Sequence, residues 1–236
     1  MLSDVNAVLF DLDGTLVNTI PLIFACYEHT LRVHAPGFVL DRSVLVENLG
    51  RSLDDILRDY AVAAGLPDAD EVSHEMGTTY RSFQREQIDR LIQPYDGMDE
   101  ALRALRELGF TLGLVTSKVE WAARLSYERY GLGEFLSVLV FHDDTARHKP
   151  DPEPLLLAAS KGGLVPDRTA YVGDSVQDMA AGRAAGMKTI GALWGPSEAE
   201  ALQRAGADAL ARTPRDLVSL LSPRGREGFP ESTPAQ

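Results

Sequence analysis

Short apolar runs that end in polar or acidic clusters punctuate this chain. The first, AVLF at 7–10, runs straight into Asp11 and then Asp13. From Gly97 onward such runs alternate with segments of helical period. GMDEALRALREL places apolar residues at Met98, Ala101, Leu102, Leu105 and Leu108, a 3.6-residue stripe closed by Gly109. TLGLVTS reads as a strand, WAARLSYERYGL as a helix, LSVLVF as a strand and DPEPLLLAASKGG as a helix with Pro152 near its first turn. TAYVGD, SVQDMAAGRAAG, MKTIGAL and PSEAEALQRAG continue as strand, helix, strand and helix, before DALA and PRDLVSLL close the folded part. This alternation predicts βαβ units and an α/β core with a mostly parallel sheet covered by helices on both faces.

The segment between Asn18 and Pro94 is patterned differently. PLIFACYEHTLRVH starts with Pro21 in its first turn, SLDDILRDYAVAAG opens with Ser52 and Asp55 at capping-box spacing, and DEVSHEMGTTYRSFQREQIDRL is long and amphipathic. One βα step needs about 30 residues, and the chain spends roughly twice that here without a convincing strand. Residues 18–94 therefore read as an inserted all-helical subdomain, with 1–17 and 95–221 forming the core. The stretch SPRGREGFPESTPAQ at 222–236 is rich in Pro, Gly and polar residues and reads as a flexible tail.

Composition narrows the choice of partners. The chain has 236 residues, 44% of them hydrophobic, enough for an ordinary core, and lacks any apolar run long enough to span a membrane. Its N-terminus has no basic segment of the kind that precedes a secretory signal, and the lone Cys26 cannot form an internal disulfide, so a cytoplasmic setting is expected. A formal net charge of −12 disfavours nucleic acid and anionic membrane surfaces. Between Asp41 and Asp99, thirteen Asp and Glu face six Arg, an acidic surface that also disfavours large polyanions. An anionic substrate would need local positive charge.

In open α/β sheets, ligands bind beyond the carboxyl ends of the strands. Asp11 and Asp13 follow the first strand; Thr116, Ser117 and Lys118 follow TLGLV; Asp174, and four residues later Asp178, follow TAYVG; Lys149 lies just before the DPEP helix. Taken singly, each has a plain structural reading: helix cap, turn residue, exposed helix position or solvated loop lysine. Taken together, all fall at one edge of the sheet. Several carboxylates brought together repel one another unless a cation or a shared proton intervenes, and an oxygen-only ligand set favours Mg²⁺.

In order and spacing, DLDGT, LVTSK, KPDPEP and GDSVQD resemble the four motifs of the haloacid dehalogenase-like phosphohydrolases, over a stretch from about Val5 to Leu221. Within that family the KPDPEP form and the helical insert look most like the phosphoglycolate phosphatase and pyrophosphatase branch. The resemblance implies a Rossmann-like core with a helical cap at 18–94, and a phosphatase acting on a small phosphorylated metabolite. By the same resemblance Asp11 is the nucleophile that forms an aspartyl-phosphate, and Asp13 is the general acid and base. One residue between them suits this, since i and i+2 share a side of an extended strand. Thr116 and the Ser117 N–H would hold phosphate oxygens, and Lys149 would neutralise charge. The Mg²⁺ site would use Asp11, the main-chain carbonyl of Asp13 and Asp174, with Asp178 helping directly or through water.

In the cap, ENLGRSLDD brings one positive charge, Arg51, to a loop expected to face the site, where it could grip a second anionic group or pair with Asp54 or Asp55. Lys118 is a second candidate substrate contact. His29, His34, His74, His142 and His148 lack ligand-like spacing and are read as structural or surface residues. Cys26 reads as buried; Trp194 and Trp121 read as packing residues, the latter holding its helix on the sheet. Asn18–Ile20 and Gln93–Tyr95 are expected to be hinge strands. A phosphosugar mutase and a non-catalytic binding protein of the same fold are the alternatives, and the chain is expected to be a monomer or homodimer.

Overall fold

The computed structural model describes residues 2–222; the expected tail falls outside the described residues from 223 onward. The chain begins with β1 (Ala7–Phe10), leaves through β2 (Val17–Asn18) into α1 (Ile20–His34), α2 (Arg42–Asn48), α3 (Leu53–Ala63) and α4 (Ala69–Leu91), and returns through β3 (Gln93–Pro94). It continues with α5 (Met98–Glu107), β4 (Thr111–Val115), α6 (Glu120–Tyr127), β5 (Val138–Val140), α7 (Glu153–Gly162), β6 (Thr169–Gly173), α8 (Val176–Ala184), β7 (Lys188–Ala192), α9 (Ala199–Ala205), β8 (Ala209–Ala211) and α10 (Pro214–Leu221). Six strands form one parallel sheet in the order β5-β4-β1-β6-β7-β8. This is the Rossmann-like α/β arrangement expected from the alternation of apolar runs and helical stripes.

The continuous apolar character of β1 follows from its central place, since a strand covered on both faces has no side to give to water. Val8 and Phe10 pack into the core formed with Leu102 and Leu105 of α5 and Leu217 and Leu221 of α10. Leu9, between them, points the other way into a second core with Leu155 and Ala158 of α7 and Ala181 of α8. The chain moves outward from β1 to β4 and β5, then crosses back to β6 and moves outward on the other side. The reversal leaves a crevice between β1 and β6 at the strands' carboxyl edge. Register sets the edge: Phe10 lies opposite Leu114 and Val172, and the Asp11 N–H donates to the Val172 carbonyl at 2.9 Å. Asp11, Thr116 and Asp174 therefore emerge at nearly one level.

Helices α1, α3 and α4 pack on one another through Leu22, Leu31, Leu57, Met76 and Ile88, with Tyr27 edge-on to Tyr80 at 5.0 Å between ring centres. They join the core through an antiparallel ribbon in which Val17 lies opposite Pro94 and Asn18 opposite Gln93. Each strand of this ribbon has two residues, too short to leave a period in the sequence, and Ile20 begins α1 rather than extending a strand. Helix α2 was not legible in the sequence either: its seven residues bury only Leu45, so no stripe develops, although Asp41 caps it by accepting from the Ser43 N–H at 2.9 Å.

Two further expectations change. The helix read in WAARLSYERYGL ends at Tyr127 and gives way to 3₁₀ turns at Glu128–Tyr130 and Leu132–Phe135. Trp121 does not pack α6 on the sheet. Its ring meets the insertion, with the Arg85 guanidinium of α4 lying 4.1 Å from the ring centre, and Arg129 pairs with Asp89 beside it. Among the described residues no helix is long and apolar enough to cross a membrane.

Gly113 of β4 tests the packing of the sheet. A Cβ there would lie 2.7 Å from Leu9 Cδ2 and 2.9 Å from the Val138 carbonyl oxygen. Gly113→Ala is expected to destabilise the fold by about 1–3 kcal/mol through overpacking. Urea unfolding should show a lowered midpoint with an unchanged m-value.

Candidate active site

The loop after β1 carries the first carboxylates. Asp11 is buried at the strand end, and one of its oxygens, Oδ1, accepts from Lys149 Nζ at 2.7 Å. Lys149 reaches it from the loop before α7 and is itself 3% exposed. The same ammonium donates to Asp178 Oδ1 at 2.7 Å and to the Tyr171 hydroxyl oxygen at 3.0 Å. Tyr171 Oη lies 3.0 Å from the Val115 carbonyl and 3.1 Å from Asp178 Oδ1, with one proton to give. One lysine thus ties together β1, β6 and α8.

Asp178 does not sit on an exposed helix face. It is fully buried in the first turn of α8, where Ser175 and Asp178 form a capping box: Asp178 Oδ2 accepts from the Ser175 N–H at 3.0 Å and from its hydroxyl. Both oxygens of Asp178 therefore have protein partners. Asp174 is held differently. Thr15 donates its hydroxyl to Asp174 Oδ1 at 2.7 Å, and Trp194 Nε1 donates to the Thr15 carbonyl at 2.9 Å. Gly14, at φ 83°, makes room for it: a Cβ there would fall 2.4 Å from Asp174 Oδ2. The turn after β1 accordingly needs glycine twice over, for its left-handed backbone and for the neighbouring carboxylate.

Asp11, Asp174 and Asp178 each offer an oxygen within 4.8 Å of the others. Burial pushes the Asp11 carboxyl up to about 7; Lys149 pulls it down, while Asp178 and Asp13 push it up. Asp174 is raised well above the carboxylate range, first by burial and then by Asp178 and Asp11. Lys149 is held well above the ordinary lysine value because the attraction of Asp11 and Asp178 outweighs the burial that opposes it. If all three carboxylates ionise against one ammonium, two negative charges are left in excess, the charge of one divalent cation. The donor set is all oxygen, as a hard cation requires. Among the described residues the Asp13 carbonyl accepts no main-chain hydrogen bond, so a further oxygen is open beside them.

Asp13 stands across the cavity mouth, with Oδ1 accepting from Lys118 Nζ and from the Thr19 hydroxyl. Thr116 Oγ1 accepts from the Lys118 N–H at 3.2 Å, which leaves the hydroxyl proton free to donate. The Ser117 hydroxyl is spent on the insertion, donating to the Gly50 carbonyl at 2.6 Å, while the Ser117 N–H has no backbone acceptor among the described residues. Gly50, at φ 90°, presses on the core so closely that a Cβ would lie 2.6 Å from Ser175 Oγ. Beside it, Arg51 borders the same cavity as Asp11, Asp13 and Asp174. Its guanidinium pairs with Asp59 at 2.8 Å and Asn48 at 2.5 Å; Asp54 pairs instead with Arg81, and Asp55 with Ser52.

The structure thus brings Asp11, Asp13, Thr116, Ser117, Lys118, Lys149, Asp174 and Asp178 to one edge, with Arg51 over it. Tyr171 was missed in the sequence, since it lay inside an apolar run and read as core. Thr15 stood in the DLDGT motif and Thr19 in the expected hinge, but nothing in the sequence showed that their hydroxyls donate to Asp174 and Asp13. Trp194 also does more than pack, since its N–H fixes the Thr15 carbonyl. His142 and His148 stack with ring centres 3.9 Å apart near the cavity, while His29 stacks on Phe83 and His34 bonds Thr79 away from it.

Residues 8–192 match the model of the haloacid dehalogenase-like hydrolases. The chain is 38% identical over 219 residues to the pyrophosphatase PpaX of Bacillus pumilus, covering 93% of this chain and 97% of the relative. It is 34% identical over 223 residues to PpaX of Halalkalibacterium halodurans, covering 94% and 100%. Among solved structures, a hydrolase from Pseudomonas syringae superposes with a TM-score of 0.82 at 25% identity, covering 92% of this chain and 97% of that one. A "predicted phosphoglycolate phosphatase" from Haemophilus somnus superposes at 0.81 with 21% identity, covering 94% and 100%, a likeness of fold. The chain belongs to the haloacid dehalogenase-like hydrolases and is an enzyme of the phosphatase kind within that family.

Proposed function

We propose that this enzyme is a Mg²⁺-dependent phosphohydrolase acting on a small phosphate monoester of the phosphoglycolate type or on pyrophosphate, the substrate its curated relatives are named for, through a phosphorylated Asp11. The buried group of three carboxylates around one lysine carries this reading. Asp11, Asp174 and the Asp13 carbonyl would hold the cation. Asp178, whose oxygens already serve Lys149, Tyr171 and Ser175, positions Lys149 and the loop after β6. When bound, Mg²⁺ supplies charge neutralisation to the phosphoryl group in transfer.

With Oδ1 of Asp11 fixed by Lys149, Oδ2 is the oxygen that attacks phosphorus. A bond forms from Oδ2 to phosphorus, the bond from phosphorus to the leaving oxygen breaks, and the leaving oxygen takes its electron pair. Asp13 gives that oxygen a proton. In the second step Asp13 takes a proton from water, which attacks phosphorus and releases phosphate from Asp11. Thr116 Oγ and the Ser117 N–H donate to phosphoryl oxygens, and Lys149 favours the ionised form of the nucleophile and aims it. The insertion, covering the site as a cap, excludes bulk water from the acyl phosphate.

The role of Asp13 is open to a leaving-group test. Asp13→Asn is expected to lower kcat for alkyl phosphates by about 10²–10⁴-fold. With p-nitrophenyl phosphate, whose leaving group needs no proton, the variant should give a burst of nitrophenol followed by slow turnover, because only the second step still needs a base. A proportional loss with no burst would contradict this role.

The raised Asp11 carboxyl gives a second test. In chelator, the folded chain keeps a proton on Asp11 up to about pH 7, while the unfolded chain releases it near its ordinary value of 3.8. Folding stability from this group therefore falls as pH rises through that window. The thermal midpoint of the native chain relative to Asp11→Asn should drop between pH 4 and 7, and adding Mg²⁺ at pH 6 should release protons and raise the midpoint. A relative midpoint that climbs with pH would contradict the assignment.

A further inference from the structure

An in-line displacement at phosphorus fixes where the leaving group goes. Asp11 attacks from the strand edge of the core, so the leaving oxygen departs on the far side, toward the insertion. That side of the cavity carries Tyr27, Ile56 and Tyr80, and its charged members are Arg51, Asp54 and Arg81. Phosphoglycolate and pyrophosphate each bear a second negative group on the part that leaves, a carboxylate in one and a phosphate in the other. Set among apolar side chains, such a group is costly unless a cation meets it. On the core side the lysines are engaged, Lys149 by Asp11 and Asp178 and Lys118 by Asp13.

Of the two arginines, Arg51 is gripped by two acceptors, Asn48 and Asp59, through the same Nη1. Arg81 makes one hydrogen bond among the described residues, from Nη2 to Asp54 Oδ1 at 2.9 Å, which leaves the rest of its planar fork uncommitted. The Arg81 side chain is 28% exposed and that of Asp54 63%. A carboxylate already mostly in water gives up an arginine at small cost. Asp54 can therefore hold the guanidinium at the cavity before substrate arrives and release it to the substrate's own anion.

Helix α4 makes room for this side chain. Gly77 lies one turn before Arg81, in the interior of a 23-residue helix, where glycine weakens the helix relative to alanine. It is buried, and a Cβ there would stand 2.8 Å from Arg81 Nη1 and 3.6 Å from Asp54 Oδ1. The missing methyl is the space into which the guanidinium folds back along α4.

We infer that Arg81 is a specificity-determining residue of the leaving-group subsite. Its guanidinium, seated over Gly77 and held ready by Asp54, receives the second negative group of a phosphate ester or anhydride whose leaving group is itself anionic. The inference rests on the phosphohydrolase reading and chooses, within it, charged leaving groups over neutral ones. A planar fork meets two oxygens of a carboxylate or phosphate at once, which an ammonium does not.

The test compares kcat/KM of the full chain with Mg²⁺ on phosphoglycolate, pyrophosphate and ethyl phosphate, which lacks the carboxylate of phosphoglycolate. Phosphoglycolate should exceed ethyl phosphate by about tenfold or more. Arg81→Gln should lower kcat/KM for phosphoglycolate and pyrophosphate by about 10–100-fold, mainly through KM, and that for ethyl phosphate by less than about threefold. Arg81→Lys should restore part of the loss, and Gly77→Ala, whose methyl displaces the guanidinium, should repeat the selective loss. Neither Arg81→Gln nor Gly77→Ala should lower the thermal midpoint by more than a few degrees, because the pair with Asp54 is partly in water and alanine favours the helix. If Arg81→Gln lowers all three substrates equally or spares the two charged ones, or if ethyl phosphate is the best substrate of the native chain, the inference is overturned, while phosphate release that depends on Asp11 leaves the phosphohydrolase reading standing. If none of the three releases phosphate, both fall.

Discussion

Lys149 places one ammonium between Asp11 and Asp178, with all three side chains nearly or wholly out of water. The pair of contacts draws three separate parts of the chain to one point: the end of β1, the loop before α7 and the first turn of α8. Removing one partner of a buried ion pair typically costs about 3–5 kcal/mol, because the other charge is left unmatched. Here the cost falls twice, since two carboxylates depend on the same lysine. The strand order follows the same need, since only a sheet that reverses direction between β1 and β6 sets these carboxylates side by side at a common edge.

Around that centre the remaining polar groups divide the labour. Thr15, steadied by Trp194, turns Asp174 toward Asp11, and the glycine at position 14 lets the carboxylate approach its backbone. Thr116 and Ser117 keep donors open on the opposite side. The helical insertion closes the space from above through a few short-range contacts: Gly50 on Ser117 and Ser175, Arg85 on Trp121, and Asp89 on Arg129.

The core and the floor of the site were legible in the sequence because buried parallel strands are continuous apolar runs, and because residues that interrupt them at the carboxyl end stand out. The coincidence of Asp11, Asp13, Thr116, Lys149 and Asp174 at such ends was enough to place them together. What escaped was set by contacts between segments distant along the chain. Tyr171 reads as one more core residue until Lys149 is seen against it. Asp178 was placed beside the metal site, but that its oxygens are committed to Lys149 and Ser175 shows only once α8 is docked. The pairing of Arg51 with Asp59, rather than with Asp54 or Asp55, depends on where α4 brings Arg81. Trp121 faces the insertion because Arg85 offers it a cation, which a period along α6 cannot reveal.

Chemical trapping of the phosphorylated enzyme tests the central claim most directly. Substrate turnover with Mg²⁺ would be quenched in acid and treated with borohydride, which reduces an acyl phosphate to an alcohol, and the product peptides mapped by mass spectrometry. The account predicts homoserine at position 11, and only when substrate is present. Active turnover with no reduced residue, or with the reduced carboxylate at another position, would contradict it.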